Sequence, residues 1–100
     1  MNENQACVQR IAEQLEEKGV YDFFEEQDIY DIEYTIDSNF EFKSARVMIA
    51  CGGPNIFVNS RSGSVDLYWW TEEAHWYLNT DCKTAVEDYF EEMYQIIKQQ

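Results

Sequence analysis

The sequence predicts an α+β fold of the order α-β-β-β-β-α, a four-stranded antiparallel meander with N- and C-terminal helices packed on one face. Three observations carry this expectation. Residues 3–18 and about 81–100 repeat apolar side chains at helical spacing. Residues 29–37 alternate apolar and polar side chains with the period of a strand. Between residues 47 and 70, three short apolar runs are separated by the turn signals Gly52-Gly53-Pro54-Asn55 and Arg61-Ser62-Gly63-Ser64. Two amphipathic helices need an apolar surface, and one face of an antiparallel sheet supplies it.

In the first helix Val8, Ile11 and Leu15 fall at i, i+3 and i+7, Ala12 widens that face, and Gly19 is a natural stop. Tyr21–Glu26 reads either as one more helical turn or as an acidic connector with Phe23 or Phe24 tucked inward. In the first strand, Ile29–Asp37, Tyr30, Ile32, Tyr34 and Ile36 make the buried face and Asp31, Glu33, Thr35 and Asp37 the wet one. Ser38-Asn39 turns the chain into a second strand, Phe40–Ala50, with Val47 and Ile49 on one face and Arg46, Met48 and Ala50 on the other. Ile56–Ser60 and Val65–Trp70 are the third and fourth strands. Ile56, Val58, Val65, Leu67 and Trp69 share one side, and Phe57, Tyr68 and Trp70 project to the opposite side. Thr71–Asn79 reads as a connector rich in aromatics that carries His75, the one histidine. The last helix has an apolar stripe of Ala85 or Val86, Tyr89, Phe90, Met93 and Ile97. Thr80 or Asp81 can cap it, and Thr84 with Glu87 offers a competing capping-box spacing.

One hundred residues make a single domain with a modest core, and six Phe, seven Tyr and three Trp supply the side chains to fill it. Cys7, Cys51 and Cys82 are an odd number at unrelated spacings, which points to a reduced, cytoplasmic compartment. The polar N-terminus has no apolar h-region, so no signal peptide is expected, and no apolar run approaches the length of a membrane span.

The net charge is −13, from twenty Asp and Glu against seven Lys and Arg. Such a surface repels nucleic acid and acidic membranes and attracts basic grooves, including those that hold nucleic acid. The acid is unevenly placed. Residues 1–42 hold twelve acids and two bases, residues 43–70 one acid (Asp66) and three bases, and residues 71–100 seven acids and two bases. The densest run is Asp22, Glu25, Glu26, Asp28, Asp31 and Glu33; on the last helix Glu87, Asp88, Glu91 and Glu92 form one acidic face. These ten residues are candidate partner contacts that imitate a phosphate backbone, weighed against a plain solvated surface.

Catalytic and metal signals are weak. Cys51-Gly52-Gly53-Pro54-Asn55 matches neither the P-loop nor the dinucleotide pattern and is best read as a structural turn. His75 with Cys82, Cys51 or Cys7 matches no zinc spacing, and no motif surrounds any Ser or Cys, so no enzyme, metal or cofactor is expected. Phe57, Tyr68 and Trp70 are candidate aromatic anchors for a partner or a homodimer, unless Trp76 and Tyr77 fold back to close the patch.

The stretch Cys51-Gly52-Gly53-Pro54-Asn55-Ile56-Phe57-Val58, then Leu67-Tyr68-Trp69-Trp70, then the acidic Asp88-Tyr89-Phe90-Glu91-Glu92-Met93-Tyr94, resembles small acidic proteins carried by phages and conjugative elements of Firmicutes. Some proteins of that kind are anti-CRISPR proteins acting on type II-A Cas9. The resemblance is a general likeness over roughly the last sixty residues and assigns no binding residues. It implies a non-enzymatic inhibitor in the cytoplasm of a bacterial host. Its partner would be Cas9 or the Cas9–guide RNA complex, with no direct nucleic-acid or membrane binding. The alternative is an acidic protein-binding or dimerisation module of a mobile element that uses the aromatic sheet face.

Overall fold

A computed structural model describes residues 2–100. Helix α1 (Glu3–Lys18) begins where the Asn2 side chain accepts a hydrogen bond from the Gln5 amide at 2.8 Å, satisfying one of the free N–H groups of the first turn. Val8, Ala12 and Leu15 form its buried stripe. Gly19 ends it at φ 90°, a conformation that glycine takes without a Cβ clash. The chain then turns directly into helix α2 (Val20–Glu26). Residues 21–26 are therefore helical rather than a connector, and both Phe23 and Phe24 are buried, not one of them.

Five strands follow: β1 (Asp31–Ile36), β2 (Phe42–Ala50), β3 (Asn55–Asn59), β4 (Ser64–Trp69) and β5 (Glu72–Tyr77). They pair in chain order, all antiparallel, and helix α3 (Thr80–Lys98) closes the chain. The α+β class, the meander and the terminal helices match the sequence expectation; the sheet has five strands in place of four. The extra strand lies in Thr71–Asn79, read above as a connector. Trp69 pairs with Glu72, so only Trp70 and Thr71 make the turn, and Trp70 belongs to that turn rather than to a strand. The turn has no Gly, Asn or Asp, the usual mark of a two-residue hairpin, which hides it in the sequence. Asn79, not Thr80 or Asp81, caps α3: its extended backbone lets Oδ1 accept from the Cys82 amide at 2.8 Å.

All three helices lie on one face of the sheet. Helix α1 packs on β4 and β5, α3 packs on β2, and α2 sits between α1 and α3. Beneath them a row of apolar side chains crosses every strand in register: Ile32, Val47, Val58, Val65 and Trp76. Val47, Val58 and Val65 are fully buried, and Ile32 and Trp76 pack against the core from the two edges. From the helix side Phe90 is fully buried, its ring 4.8 Å from that of Phe24 in an edge-on contact.

The margins depart from the sequence pattern. On β1 only Ile32 and Tyr34 pack against the core, while Tyr30 and Ile36 are exposed. β1 is an outer strand, and the helices cover only its centre. On α3 the buried residues are Cys82, Val86 and Phe90; Tyr89 and Met93 are partly buried and Ile97 is exposed. The last turn has reached the margin of the sheet, where Lys98 Nζ lies 3.7 Å from Glu41 Oε1 in the β1–β2 connection. Among the described residues no helix is long and apolar enough to cross a membrane.

Phe90→Ala should lower the unfolding free energy by about 3–5 kcal/mol, the range for an aromatic deletion in a packed core. Urea unfolding measures this; a loss within experimental error would show that the helix layer does not depend on Phe90.

Candidate functional site

Strand register builds a second surface on the face away from the helices, because successive side chains alternate between the two faces. Met48, Phe57, Asp66 and His75 stand side by side across β2 to β5. Beside them runs a second row, Glu33, Arg46, Asn59, Ser64 and Tyr77. Tyr68 lies next to Asp66 on this face and pairs with Asn55 and Glu73.

At its centre Asp66 is only 5% exposed. One of its oxygens, Oδ1, accepts from Ser64 Oγ at 2.8 Å and meets His75 Nδ1 at 2.8 Å. A carboxylate can only accept, so Nδ1 carries the proton. His75 Nε2 lies 3.5 Å from Glu73 Oε1. The Asp66 hydrogen bond raises the His75 pKa above its ordinary value; partial burial opposes this, and Glu73 adds to the rise. Next to this pair, the Arg46 guanidinium lies 3.6 Å from the Phe57 ring centroid, with one nitrogen 3.6 Å from Glu33 Oε1.

Ser, Asp and His meet here in an order that does not make a hydrolytic triad. A triad needs the hydroxyl on the imidazole and the carboxylate behind it. In this cluster the carboxylate stands between the other two, so the serine bonds to Asp66 and the imidazole has no hydroxyl to activate. Burial pushes the Cys82 thiol up to about 11, which leaves it without thiolate character at neutral pH. Among the described residues no group of three or more His, Cys, Asp or Glu is placed to hold a metal ion. The arrangement pairs a buried carboxylate with a hydroxyl and an imidazole.

The three aromatic candidates do not form one patch. Phe57 is buried beneath Arg46, Tyr68 is half-buried between Phe57 and His75, and Trp70 stands off the sheet at the β4–β5 turn, 87% exposed. Trp76 does not close this face: its register with Val65 turns it to the helix side. Arg46 closes it instead.

The ten acidic candidates divide between faces. Asp22, Glu25 and Glu26 are exposed on α2, and Asp88, Glu91 and Glu92 are exposed on α3, all in the helix layer. Glu87 is half-buried and pairs with Lys83 Nζ at 3.2 Å. Asp31 and Glu33 share register with Met48 and Arg46, so they point from β1 to the opposite face. Asp28 is exposed in the connection between α2 and β1. The sequence run from Asp22 to Glu33 is therefore two surfaces. Sequence reasoning missed the pairing of Asp66 with His75. Asp66 was visible as the single acid of the central strands, but His75 becomes its neighbour only once β5 is recognised.

Comparisons of this chain with protein-family models, with curated proteins and with solved structures give no match. The fold and the two surfaces define it as an acidic two-layer α+β sandwich.

Two outcomes are expected. Folding favours protonated His75, so its contribution to stability is complete below the unfolded pKa of about 6.5 and is lost as pH rises through the higher folded value. The stability advantage of the wild type over His75→Gln should therefore shrink as pH rises through that window, leaving the neutral Nδ1–H bond to Asp66; a pH-independent difference would contradict the raised pKa. Trp70 adopts φ 58°, a left-handed conformation that costs a side-chain-bearing residue about 1–2 kcal/mol. Trp70→Gly relieves that cost but adds chain entropy and gives up the edge-on contact with Trp69, ring centroids 5.8 Å apart, so stability should change by less than about 1 kcal/mol, read from the urea midpoint; a larger loss would show that the exposed ring packs on the fold.

Proposed function

We propose that this protein is a non-enzymatic inhibitor of a bacterial defence nuclease, binding Cas9 or its guide complex through an acidic surface that takes the place of nucleic acid. One observation carries the proposal. Asp22, Glu25, Asp88, Glu91 and Glu92 are exposed on the helix layer, and none is in a salt bridge among the described residues. Unpaired carboxylates on one side of a molecule of charge −13 repel one another, and a positively charged channel relieves that repulsion. Cas9 holds its nucleic acids in such channels and reads its PAM through arginines. The choice of Cas9 among effectors with basic grooves rests on the sequence resemblance described above. Acidic steering would speed encounter, and occupation of the channel would block guide loading or target binding.

A second reading follows from the 87% exposure of Trp70. An acidic module of a mobile element could dock this ring into an apolar pocket of another protein, with charge serving solubility alone. Its binding would then be insensitive to salt and lost in Trp70→Ala.

The test is target cleavage by type II-A Cas9 enzymes with the protein added before or after guide loading. The expected result is inhibition that weakens as salt is raised. Asp22→Asn, Glu25→Gln, Asp88→Asn, Glu91→Gln and Glu92→Gln together should abolish it. Asp31→Asn with Glu33→Gln, on the other face, should leave it nearly intact. No inhibition at large molar excess across several enzymes would end the proposal, and equal potency of the two variants would end the assignment to the helix layer.

A further inference from the structure

Tyr89, Met93 and Ile96 run along one shoulder of α3, beside the stripe that enters the core. Their spacing of i, i+4 and i+7 puts them on one line over about two helical turns, roughly 10 Å. Tyr21 of α2 meets this line edge-on, its ring centroid 6.3 Å from that of Tyr89. With Glu92 these residues line a groove of about 190 Å³ between α2 and α3. Tyr21 and Ile96 are more than half exposed, so large apolar surface is left in water at this place.

The rim has one sign of charge. Glu92 lines the groove, and on α2 Asp22 follows Tyr21 directly while Glu25 stands one turn on at i+4. Among the described residues no lysine or arginine lines the groove. The pKa of Tyr21 is raised chiefly by Glu25 and that of Tyr89 chiefly by burial, so both phenols remain protonated donors.

We propose that this groove docks an amphipathic helix of a partner protein, one that carries Lys or Arg on both sides of an apolar stripe. Apolar anchors at i, i+3, i+4 and i+7 of such a helix match the line of Tyr89, Met93 and Ile96, the usual form of helix-in-groove recognition. Its flanking cations meet Asp22, Glu25 and Glu92. A second copy of this chain is the wrong occupant: a two-fold contact would set those carboxylates against their own images on molecules of charge −13. The inference deepens the proposed function by naming the part of the partner that is gripped, and it rests on that reading only for the partner's identity.

The probe is a short helical peptide of Leu and Lys with Leu at i, i+3, i+4 and i+7, titrated into the isotope-labelled protein and followed by amide NMR shifts. The control peptide has Glu in place of Lys. The Leu–Lys peptide should shift the α2 and α3 amides around Tyr21, Tyr89, Met93 and Ile96, more weakly as salt is raised, and the Leu–Glu peptide should not bind. Met93→Ser with Ile96→Ser should weaken binding roughly tenfold while the remaining spectrum stays native. Equal binding of the Leu–Glu peptide, shifts on another face, no binding up to about millimolar peptide, or self-association of the free protein through Tyr21 and Ile96 would each overturn it. Peptide capture by a protein that fails to inhibit Cas9 keeps the groove and ends the inhibitor reading; inhibition without peptide capture does the reverse.

Discussion

The row Ile32, Val47, Val58, Val65 and Trp76 crosses the whole sheet, and its removal from water is what the other elements accomplish. A five-stranded meander with one apolar face is unstable unless that face is covered. Coverage comes from α1 over β4 and β5, from α3 over β2, and from α2 bridging the two helices. The β-branched side chains at the centre suit a pleated surface, and the aromatic rings of Phe24 and Phe90 fill the space above it. Where the helices stop, burial stops too, which is why Tyr30, Ile36 and Ile97 lie in water although their spacing matches buried neighbours.

That single core has to hold against a charge of −13. Apart from the buried Asp66 on β4, the chain keeps its acids at the outside of the helix layer, on the outer strands and in the connections beside β1, where water screens them. The outer strands gain a second benefit. Asp31 and Glu33 on β1, with Glu72 and Glu73 on β5, put like charges on both open edges, and charged edges resist pairing with another chain. Asp22, Glu25, Asp88, Glu91 and Glu92 are among the helix-layer carboxylates with no salt-bridge partner among the described residues, and that unrelieved repulsion is what supports the proposal of a basic partner.

The face away from the helices is organised differently. Its one buried acid is compensated locally by Ser64 and His75, and its buried aromatic, Phe57, is covered by Arg46. A buried carboxylate without such partners would be costly, so the pairing is a condition of placing Asp66 there at all. This face is thus closed by its own polar side chains, while the groove between α2 and α3 leaves apolar surface open.

Period and turn chemistry in the sequence determined the α+β class, the helices at both ends and the four strands from Ile29 to Trp70, because each depends on neighbours a few residues apart. Composition likewise determined the acidity, and the placement of charge along the chain its restriction to a single acid, Asp66, in the central strands. The fifth strand was not legible, since the Trp70-Thr71 turn lacks the residues that mark a hairpin and Glu72-Glu73 are poor strand formers. Much of the site followed from that strand. Only with β5 in place does His75 stand beside Asp66 and Trp76 turn toward the helices. The division of the Asp22–Glu33 acids between two faces, and the meeting of Tyr21 with Tyr89, were likewise decided by tertiary structure. Contacts between residues far apart in the chain depend on how elements pack, and local periodicity carries no record of that.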